Sequence, residues 1–369
     1  MASFQRVGVL ADDFSGAGDA ALAFRAAGMA AEIWTPAAKK WLARGGAFPK
    51  TPVWIIDTES RGLSPRLAAR AVRRAMNALC RWKADFIFKK IDSTLRGPVG
   101  AELAAFIEAV RPSAPVAFVP AFPRMGRTTV GGRHFVNGVP LHKTAFAKDP
   151  RHPVRSNEIN SILDASWPTG FQRQNAATRE CVWVADVADE RALAAVARRA
   201  LDSGVAVGSA GFAAAVARQM GGRQKGPRPE AAVAGAGPVG VVVGSAHPLS
   251  GRQLARLKNF LPRSDVFLLE RPESPGSPAR VLRTLVSGAR GLEKKYGIRR
   301  WVVTGGETAF ALARLWKTPR WRVAGQIEPG VPLCVSVAPR PRVLVMKPGG
   351  FGSADALWKA TVRLLQKEK

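Results

Sequence analysis

Short apolar runs that end in polar or glycine-bearing turns recur along the chain and predict alternating strands and helices. Apolar residues with helical spacing follow several of these runs, as in Pro98–Val110. This alternation is typical of an α/β fold, in which strands lie parallel and helices cover the sheet. In the first half of the chain the predicted strands are Arg6–Leu10, Ala31–Trp34, Val53–Ile56, Ala84–Phe88 and Val116–Pro120.

The chain is predicted to form two domains, because its 369 residues exceed the usual size of a single core. Residues 221–238 are rich in glycine, proline and alanine, which is typical of a linker. We therefore expect a first domain over 1–220 and a second over 239–369, each a largely parallel sheet with flanking helices. The second domain is expected to be Rossmann-like and nucleotide-binding.

A long irregular stretch over 121–155 interrupts the first predicted domain. Stretches of this length without periodicity are often binding or oligomer-forming arms. Gly131-Gly132 and Asn137-Gly138 predict tight hairpin turns within it. Its three histidines lack the spacing of metal ligands.

Polar side chains follow the strand Ala84–Phe88 at its carboxyl end, where open α/β sheets bind ligands. Two lysines and an arginine surround a carboxylate and two hydroxyls, a combination that suits an anionic ligand with hydroxyl groups. A solvated charged loop that caps the next helix is the alternative interpretation. The residues in this turn are Lys89, Lys90, Asp92, Ser93, Thr94 and Arg96.

Two earlier turns carry similar chemistry: Asp12 and Asp13 follow the first strand, and Ser60 and Arg61 follow the third. Three polar βα turns in the first half of the chain favour a binding site over a merely charged surface. Gly16–Asp19 resembles the GAGD turn of ribokinase-type sugar kinases, in which glycine amides bind the transferring phosphate and the aspartate acts as base, but that turn lies late in those chains. We therefore interpret the glycines as tight-turn residues, with the helix beginning near Ala20.

Three small, glycine-bearing turns precede helices in the second predicted domain. Free amides at a helix N-terminus bind phosphate, so three such turns on one sheet predict a nucleotide pocket. Neither a Walker A sequence nor a complete GxGxxG fingerprint is present to specify the class. The candidate nucleotide-binding residues are Ser245, Gly305, Gly306, Glu307, Thr308 and Gly349.

The charge is strongly basic, with 56 lysines and arginines against 27 acidic residues and a net charge of +29. Such a charge attracts polyanions, so a nucleic-acid-binding protein is an alternative class. The arginines are scattered along ordinary helical patterns without a nucleic-acid-binding signature, which makes nucleic acid an unlikely partner. The three distant cysteines suit a reducing compartment, and no apolar run has membrane-spanning length. We expect a cytoplasmic protein without a membrane partner.

Many motifs along nearly the whole chain resemble the four-carbon acid sugar kinases, formerly a domain of unknown function. This resemblance implies phosphorylation of threonate, erythronate or oxo-tetronate with ATP and Mg²⁺, and an acid-sugar domain followed by a nucleotide domain. The chain departs from the family at Pro348 and at Ala246-His247-Pro248. The motifs are ADDFSGAGD at 11–19, DTESR at 57–61, KKIDSTLRG at 89–97, PAFPRMGRTT at 120–129, VVVGSAHPLSGRQ at 241–253, VTGGETA at 303–309 and KPGGFG at 347–352.

Roles follow from what phosphoryl transfer requires: charge neutralisation, alignment of a hydroxyl, and acceptance of one proton. We assign Arg61, Lys90 and Arg96 to the substrate carboxylate and the transferring phosphate. Asp12, Asp13 and Asp92 would hold the hydroxyls with Ser60 and Ser93, and Glu307 would reach Mg²⁺ or the ribose. The predicted catalytic residues are Asp13, Asp92 and Lys90.

Asp13 is the hypothesis for the general base, because repulsion by neighbouring carboxylates would raise its proton affinity. The alternative is that Asp12 and Asp13 only cap the next helix and pair with Lys90. A sugar-acid-binding protein without catalysis is a further alternative for the whole chain. The 121–155 arm could build a homodimer.

Overall fold

The computed structural model describes residues 4–36, 47–149, 151–167, 181–221, 237–272 and 276–366. The chain divides into two compact units, one comprising Met1–Ala31 with Trp41–Gly226 and the other Glu32–Lys40 with Pro227–Lys369. Almost all of the predicted linker at 221–238 lies outside the described residues. Mixed α/β structure in both units confirms the predicted fold class.

A parallel sheet forms the centre of the first unit, in the order β3-β1-β4-β10-β5-β9. The parallel arrangement brings the carboxyl ends of the strands to one edge. In chain order the strands of the first half are β1 (Val7–Ala11), β2 (Ala31–Trp34), β3 (Val53–Asp57), β4 (Phe86–Lys90), β5 (Val116–Val119), β6 (Arg127–Val130), β7 (Arg133–Val136), β8 (Val139–Pro140), β9 (Val182–Val184) and β10 (Val205–Gly208).

Helix α1 begins earlier than the sequence predicts. It starts at Phe14 rather than near Ala20, because the Asp13 side chain accepts a hydrogen bond from the Gly16 amide at 2.7 Å and caps the helix. Asp19 consequently lies within a helix. The helices of the first half are α1 (Phe14–Ala26), α2 (Pro65–Arg81), α3 (Val99–Val110), α4 (Ile159–Asp164), α5 (Glu190–Asp202) and α6 (Ala210–Met220).

Buried apolar side chains fix the polar turns at the sheet edge. Strands β1 and β3 are buried along their whole length, as expected for a parallel sheet covered on both faces. Helices α3 and α4 approach so closely that a Cβ on Gly100 would lie 1.9 Å from the carbonyl oxygen of Leu163. Only glycine fits at this contact, which holds α3 behind the turn that follows β4.

The arm is a three-stranded antiparallel sheet of β6, β7 and β8. Both predicted hairpin turns are confirmed, since Gly131 and Gly132 have φ angles of 58° and 69°, and Asn137 and Gly138 of 51° and 77°. Thr129 and Val187 exchange two backbone hydrogen bonds of 2.9 and 2.8 Å. The hairpin is therefore attached to the body of the first unit.

The second unit contains a mixed sheet in the order β12-β11-β13-β16-β15-β14-β2. Its first four strands are parallel, and the last three join it antiparallel. Valines and leucines of the parallel strands form the core with α7 and α10. The elements are β11 (Val239–Val243), α7 (Pro248–Lys258), β12 (Val266–Glu270), α8 (Pro278–Tyr296), β13 (Arg300–Thr304), α9 (Gly306–Leu315), β14 (Arg320–Gln326), β15 (Pro332–Ser336), β16 (Val343–Lys347) and α10 (Ala356–Leu365).

No helix among the described residues combines the length and the apolar character needed to cross a membrane.

Candidate active site

The first three polar turns lie together at the carboxyl edge of the first unit's sheet. Ala11 at the end of β1 pairs with Asp57 of β3 on one side and with Lys90 of β4 on the other. The residues that follow these positions are the predicted ligand-binding groups. The sheet register therefore brings the turns at 12–13, 58–61 and 91–96 into one neighbourhood.

Arg61 is held between two aspartates. Its Nε donates to Asp12 Oδ2 at 2.8 Å, while Nη1 and Nη2 donate to Asp13 Oδ2 and Oδ1 at 2.7 and 2.9 Å. Asp13 also accepts from the Ser15 hydroxyl at 2.6 Å and from the capped Gly16 amide. Both Asp13 oxygens are thus engaged, and the two aspartates pair with Arg61 rather than with Lys90, the partner in the alternative interpretation.

Asp12 keeps one oxygen uncommitted, because Oδ1 is buried and has no hydrogen-bond partner. Burial by itself would raise the pKa of Asp12, but Arg61, Lys89 and Lys90 together lower it below the ordinary value. Asp12 is therefore ionised at neutral pH. An ionised carboxylate with a free oxygen can accept a hydrogen bond from a ligand hydroxyl.

Asp92 and Arg96 form a second forked pair. Arg96 donates from Nε to Asp92 Oδ2 at 2.7 Å and from Nη2 to Oδ1 at 3.0 Å, and the Thr94 hydroxyl donates to Oδ2 at 2.5 Å. Burial opposes ionisation, but Arg96 and Arg61 hold the pKa of Asp92 well below its usual value. Arg96 also reaches Asp149 at 3.4 Å. Most of its positive charge is thereby neutralised within the protein.

The two adjacent lysines have different roles. Lys89 is fully buried and forms a 2.6 Å ion pair with Glu102 of α3. Lys90 donates from Nζ to the Ile91 carbonyl at 2.9 Å, and its ammonium has no carboxylate partner within the described part of the chain. A Cβ on Gly16 would lie 2.6 Å from Asp13 Oδ1 and 3.2 Å from Lys90 Nζ, so glycine allows the start of α1 to approach this cation closely.

Two carboxyl groups that sequence reasoning did not select lie at the end of β3 and in the turn after it. Burial raises the pKa values of both Asp57 and Glu59 well above their ordinary values. Asp57 Oδ2 and Glu59 Oε2 are buried without hydrogen-bond partners, and Glu59 has a φ of 46°. The neighbouring Ser60 hydroxyl lies 2.6 Å from the Thr58 hydroxyl. This turn can offer neutral carboxyl donors as well as hydroxyls.

The hairpin arm contributes Arg127 and His134, which were also missed. His134 is fully buried between the Thr129 hydroxyl at 3.0 Å and the Ser93 carbonyl at 2.8 Å. Burial lowers the pKa of His134 to about 4, so the ring is neutral and donates from Nε2 to the carbonyl. Ser93 is thereby fixed by the hairpin.

Arg127 lies close enough to Asp92 and Arg96 for their charges to affect its pKa, which Asp92 raises and Arg96 lowers. Its Nη1 donates to the Met125 carbonyl, whereas its buried Nε has no partner. Burial lowers the pKa of Arg127, as expected for a cation that lacks a compensating anion. No carboxylate within the residues described forms an ion pair with it. The run PRMGRTT was noticed in the sequence, but only the hairpin geometry brings this arginine to Asp92.

Three turns also converge at the carboxyl edge of the second unit's sheet. The Ser245 amide donates to the Thr304 hydroxyl at 3.2 Å, and the Gly305 amide donates to the Lys347 carbonyl at 3.0 Å. A Cβ on Gly349 would lie 2.3 Å from Ser245 Oγ. The predicted nucleotide-binding turns that follow β11, β13 and β16 are thus neighbours.

The N-terminus of α9 lies at the centre of these turns. Its cap is Gly305, with φ of 92°, and no side chain caps the first amides. Gly306, Glu307 and Thr308 occupy the first turn, and Thr308 is buried. A helix start with uncapped amides can bind phosphate oxygens.

The turn after β16 is held by Lys347, whose Nζ donates to the carbonyls of Pro348, Gly349 and Phe351 at 2.9, 3.0 and 3.2 Å. Burial lowers the pKa of Lys347 to about 8. His247 caps α7 through Nδ1, which accepts from the Leu249 amide at 3.2 Å. Pro348 and His247, which belong to the two departures from the family pattern, therefore both form hydrogen bonds that shape this edge.

Comparisons with known proteins identify the family of this chain. The sugar-binding N-terminal domain family matches residues 7–216, and the nucleotide-binding C-terminal domain family matches residues 265–357. A D-threonate kinase of Bordetella bronchiseptica is 30% identical, in an alignment 412 residues long that covers 98% of each chain. The chain belongs to the four-carbon acid sugar kinase family.

Other members of this family show the same extent of similarity. A 3-oxo-tetronate kinase of Methylobacterium radiotolerans is 26% identical, covering 96% of this chain and 98% of its own. A crystal structure of a Bordetella bronchiseptica protein with bound citrate, a domain-swapped dimer, is similar with a TM-score of 0.51 and 29% identity over 99% of both chains. The chain is accordingly a kinase, a phosphotransferase with an alcohol group as acceptor.

Proposed function

We propose that this kinase uses ATP to phosphorylate a hydroxyl of a four-carbon acid sugar of the threonate, erythronate or 3-oxo-tetronate type in carbohydrate catabolism. The observation that carries the proposal is the group of cations, carboxylates and hydroxyls at the sheet edge of the first unit. Relatives that align over nearly the whole chain are named kinases of such acids.

The substrate carboxylate is assigned to Lys90 and Arg127. Arg61 and Arg96, expected from the sequence to bind it, already have aspartate partners and serve mainly to shape the site. Lys90 and Arg127 are cations at the same edge that keep uncommitted donors. The carboxylate of an acid sugar would supply the compensating negative charge that Arg127 lacks.

The substrate hydroxyls are assigned to the carboxylates of Asp12 and Asp92 and to Ser60 and Ser93. Asp12 offers a free oxygen on an ionised group. Ser93 lies in the turn that the hairpin fixes through His134. Asp13 as the proton acceptor stays a prediction, and its two oxygens are already bound to Arg61, Ser15 and Gly16.

ATP is assigned to the second unit, at Ser245, Gly305, Gly306, Glu307, Thr308 and Gly349. The four parallel strands with glycine-bearing turns favour a Rossmann-like nucleotide-binding role for this unit. Among the described residues no group of three or more histidines, cysteines and carboxylates is arranged to hold a metal. Mg²⁺ would therefore arrive with the phosphates of ATP, and Glu307 is the carboxylate assigned to the metal or the ribose.

Assembly as a homodimer is part of the proposal, supported by the domain-swapped dimer of the citrate-bound relative. Sedimentation equilibrium of the purified protein measures the assembly directly. A monomer at micromolar concentration would exclude a stable dimer.

Coupled ADP release with D-threonate, D-erythronate and 3-oxo-tetronate tests the proposed reaction. We expect one of these acids to give turnover with ATP and Mg²⁺, while the neutral tetritol of the same length gives at least about tenfold less, since a lost charged contact is worth 1.4 kcal/mol or more. Equal turnover of acid and neutral alcohol would contradict the substrate class.

A further inference from the structure

Asp19 lies on the face of α1 that borders the candidate substrate site. It follows Gly16 by three residues, so the two positions share one helix face. The Gly16 position is 3.2 Å from Lys90 Nζ and 3.5 Å from Asp12 Oδ1, measured from a Cβ built there. The same Cβ would overlap Asp13 Oδ1 at 2.6 Å, so the absence of a side chain at Gly16 lets the start of α1 lie close against these groups.

One oxygen of the Asp19 carboxyl group is uncommitted. Its Oδ1 is buried and has no hydrogen-bond partner. Asp13 and Asp92, by contrast, have both oxygens bound to arginine and to hydroxyl or amide donors. A buried carboxyl oxygen without a partner, beside a cation, is free to bind a group on the substrate.

The charges around Asp19 come from three different turns. Lys90 is at the end of β4, Asp13 precedes α1, Arg61 follows β3 and Asp92 follows β4. Burial raises the pKa of Asp19 to about 7, with Lys90 and Arg61 opposing this and Asp13 and Asp92 adding to it. A group that is half-ionised near neutral pH can both take and release a proton there. Asp12 also has a free oxygen, but its lowered pKa makes it a weaker proton acceptor.

We propose that Asp19, rather than Asp13, accepts the proton of the substrate hydroxyl during phosphoryl transfer. This inference rests on the proposed kinase function and names its general base. The O–H proton passes to Asp19 Oδ1 as the hydroxyl oxygen forms a bond to the γ-phosphorus of ATP. The bond from that phosphorus to the β,γ-bridging oxygen breaks, and ADP leaves with the electron pair. The proton returns to water after the product departs.

The first test is Asp19→Asn, which keeps the shape of the side chain but cannot take a proton. We expect kcat to fall by about 10²- to 10⁴-fold, the usual contribution of general base catalysis, while KM for the acid changes less than about threefold. Asp13→Asn is the matched comparison and should mainly raise KM, because it releases Arg61. A kcat within threefold of wild type in Asp19→Asn would overturn the proposal.

The pH profile supplies a readout that a structural role would not move. A base must be deprotonated to act, so kcat/KM of the wild type should rise with pH through an inflection near 7. The Asp13→Asn variant should shift this inflection to lower pH, because the Asp13 charge raises the pKa of Asp19. An unchanged inflection in Asp19→Ser would overturn the proposal, whereas partial recovery of Asp19→Ser turnover by added formate supports it.

Folding failure and failure of the proposed function are separated by two further measurements. ATP binding by calorimetry and thermal unfolding confirm that each variant is folded, and Asp19→Glu, which keeps a proton acceptor, should retain more activity than Asp19→Asn. Equal loss of kcat in Asp19→Glu and Asp19→Asn, with both folded, would contradict a proton-accepting role. Absence of ADP release by the wild type with every acid tested would overturn the proposed function and the base assignment together.

Discussion

Arg61 and Asp13 are joined by two parallel hydrogen bonds, from Nη1 to Oδ2 at 2.7 Å and from Nη2 to Oδ1 at 2.9 Å. Because Asp13 also caps α1, this fork ties the turn after β3 to the start of the helix after β1. The substrate site of the first unit is therefore shaped by the protein's own ion pairs. Lys90, Arg127, Asp12 and Asp19 keep uncommitted polar atoms and are among the groups that the proposals assign to the ligand.

A double-mutant cycle of Arg61→Gln and Asp13→Asn measures the strength of this fork. We expect a coupling energy of about 1 to 3 kcal/mol in the free energy of unfolding, because the pair is largely buried and bidentate. Denaturant unfolding of the four proteins gives the value.

The matched control for this cycle is the ion pair between Arg73 and Glu108 on α2 and α3. Its N–O distance is also 2.7 Å, but both side chains are 43% exposed. Exposed pairs couple by less than about 1 kcal/mol. Equal coupling in the two cycles would show that burial of the Arg61 fork does not strengthen it.

Replacement of Arg127 tests the assignment of the substrate carboxylate. Arg127→Met should raise KM for the acid by about 10- to 100-fold with a smaller effect on kcat, because a charge-assisted hydrogen bond is worth about 1.5 to 3 kcal/mol. Turnover of a neutral tetritol should change little. Arg124→Met is the control, since Arg124 belongs to the same arm and its side chain is 71% exposed. A KM for the acid that is unaffected in Arg127→Met would remove Arg127 from the site.

Much of the fold follows from short-range patterns. Glycine pairs at 131–132 and the Asn137-Gly138 pair require positive φ angles, so the hairpins were predictable from the residues alone. Apolar runs and the turns after them likewise indicated the strands whose ends carry the site. The antiparallel pairing of β2 with β14 was not predictable, because strands from distant parts of the chain leave no local signal.

The sequence predicted many of the residues that make up the site, but not which of them pair with one another. The turns containing Arg61 and Arg96 were recognised, yet their use as partners of Asp13 and Asp92 depends on side-chain directions. Asp19 was set aside because the similar turn of ribokinase-type kinases lies late in those chains, and the helix was expected to begin only near Ala20. The cap at Asp13 signals the earlier start, since aspartate before a helix commonly caps it.

The buried imidazole of His134 makes a prediction about pH and stability. Its folded-state pKa of about 4 is below the unfolded value of 6.5. The unfolded state therefore binds a proton first as pH falls, and stability is lost between about pH 6.5 and pH 4. Between pH 7 and pH 5 the wild type should lose about 2 kcal/mol more of its unfolding free energy than His134→Gln, which can still donate to the Ser93 carbonyl. Equal losses in the two proteins would contradict the lowered pKa.

The nucleotide edge of the second unit is tested by adding a single methyl group. A Cβ on Gly349 would lie 2.3 Å from Ser245 Oγ, so Gly349→Ala must displace the Ser245 side chain. We expect the Kd for ATP to rise at least about tenfold, which corresponds to 1.4 kcal/mol, while the Kd for the acid is unchanged.

Gly251→Ala is the control for the added methyl group, because Gly251 lies in α7 and a Cβ there meets nothing within 4 Å. Alanine also has the higher helix propensity, so this variant should bind ATP as the wild type does and unfold at the same or a slightly higher temperature. Gly306→Asp extends the series by placing a negative charge in the first turn of α9, where phosphate is expected, and should abolish ATP binding. Calorimetric titration with ATP measures all three variants. If Gly349→Ala and Gly306→Asp bind ATP as tightly as Gly251→Ala, the nucleotide does not occupy these turns.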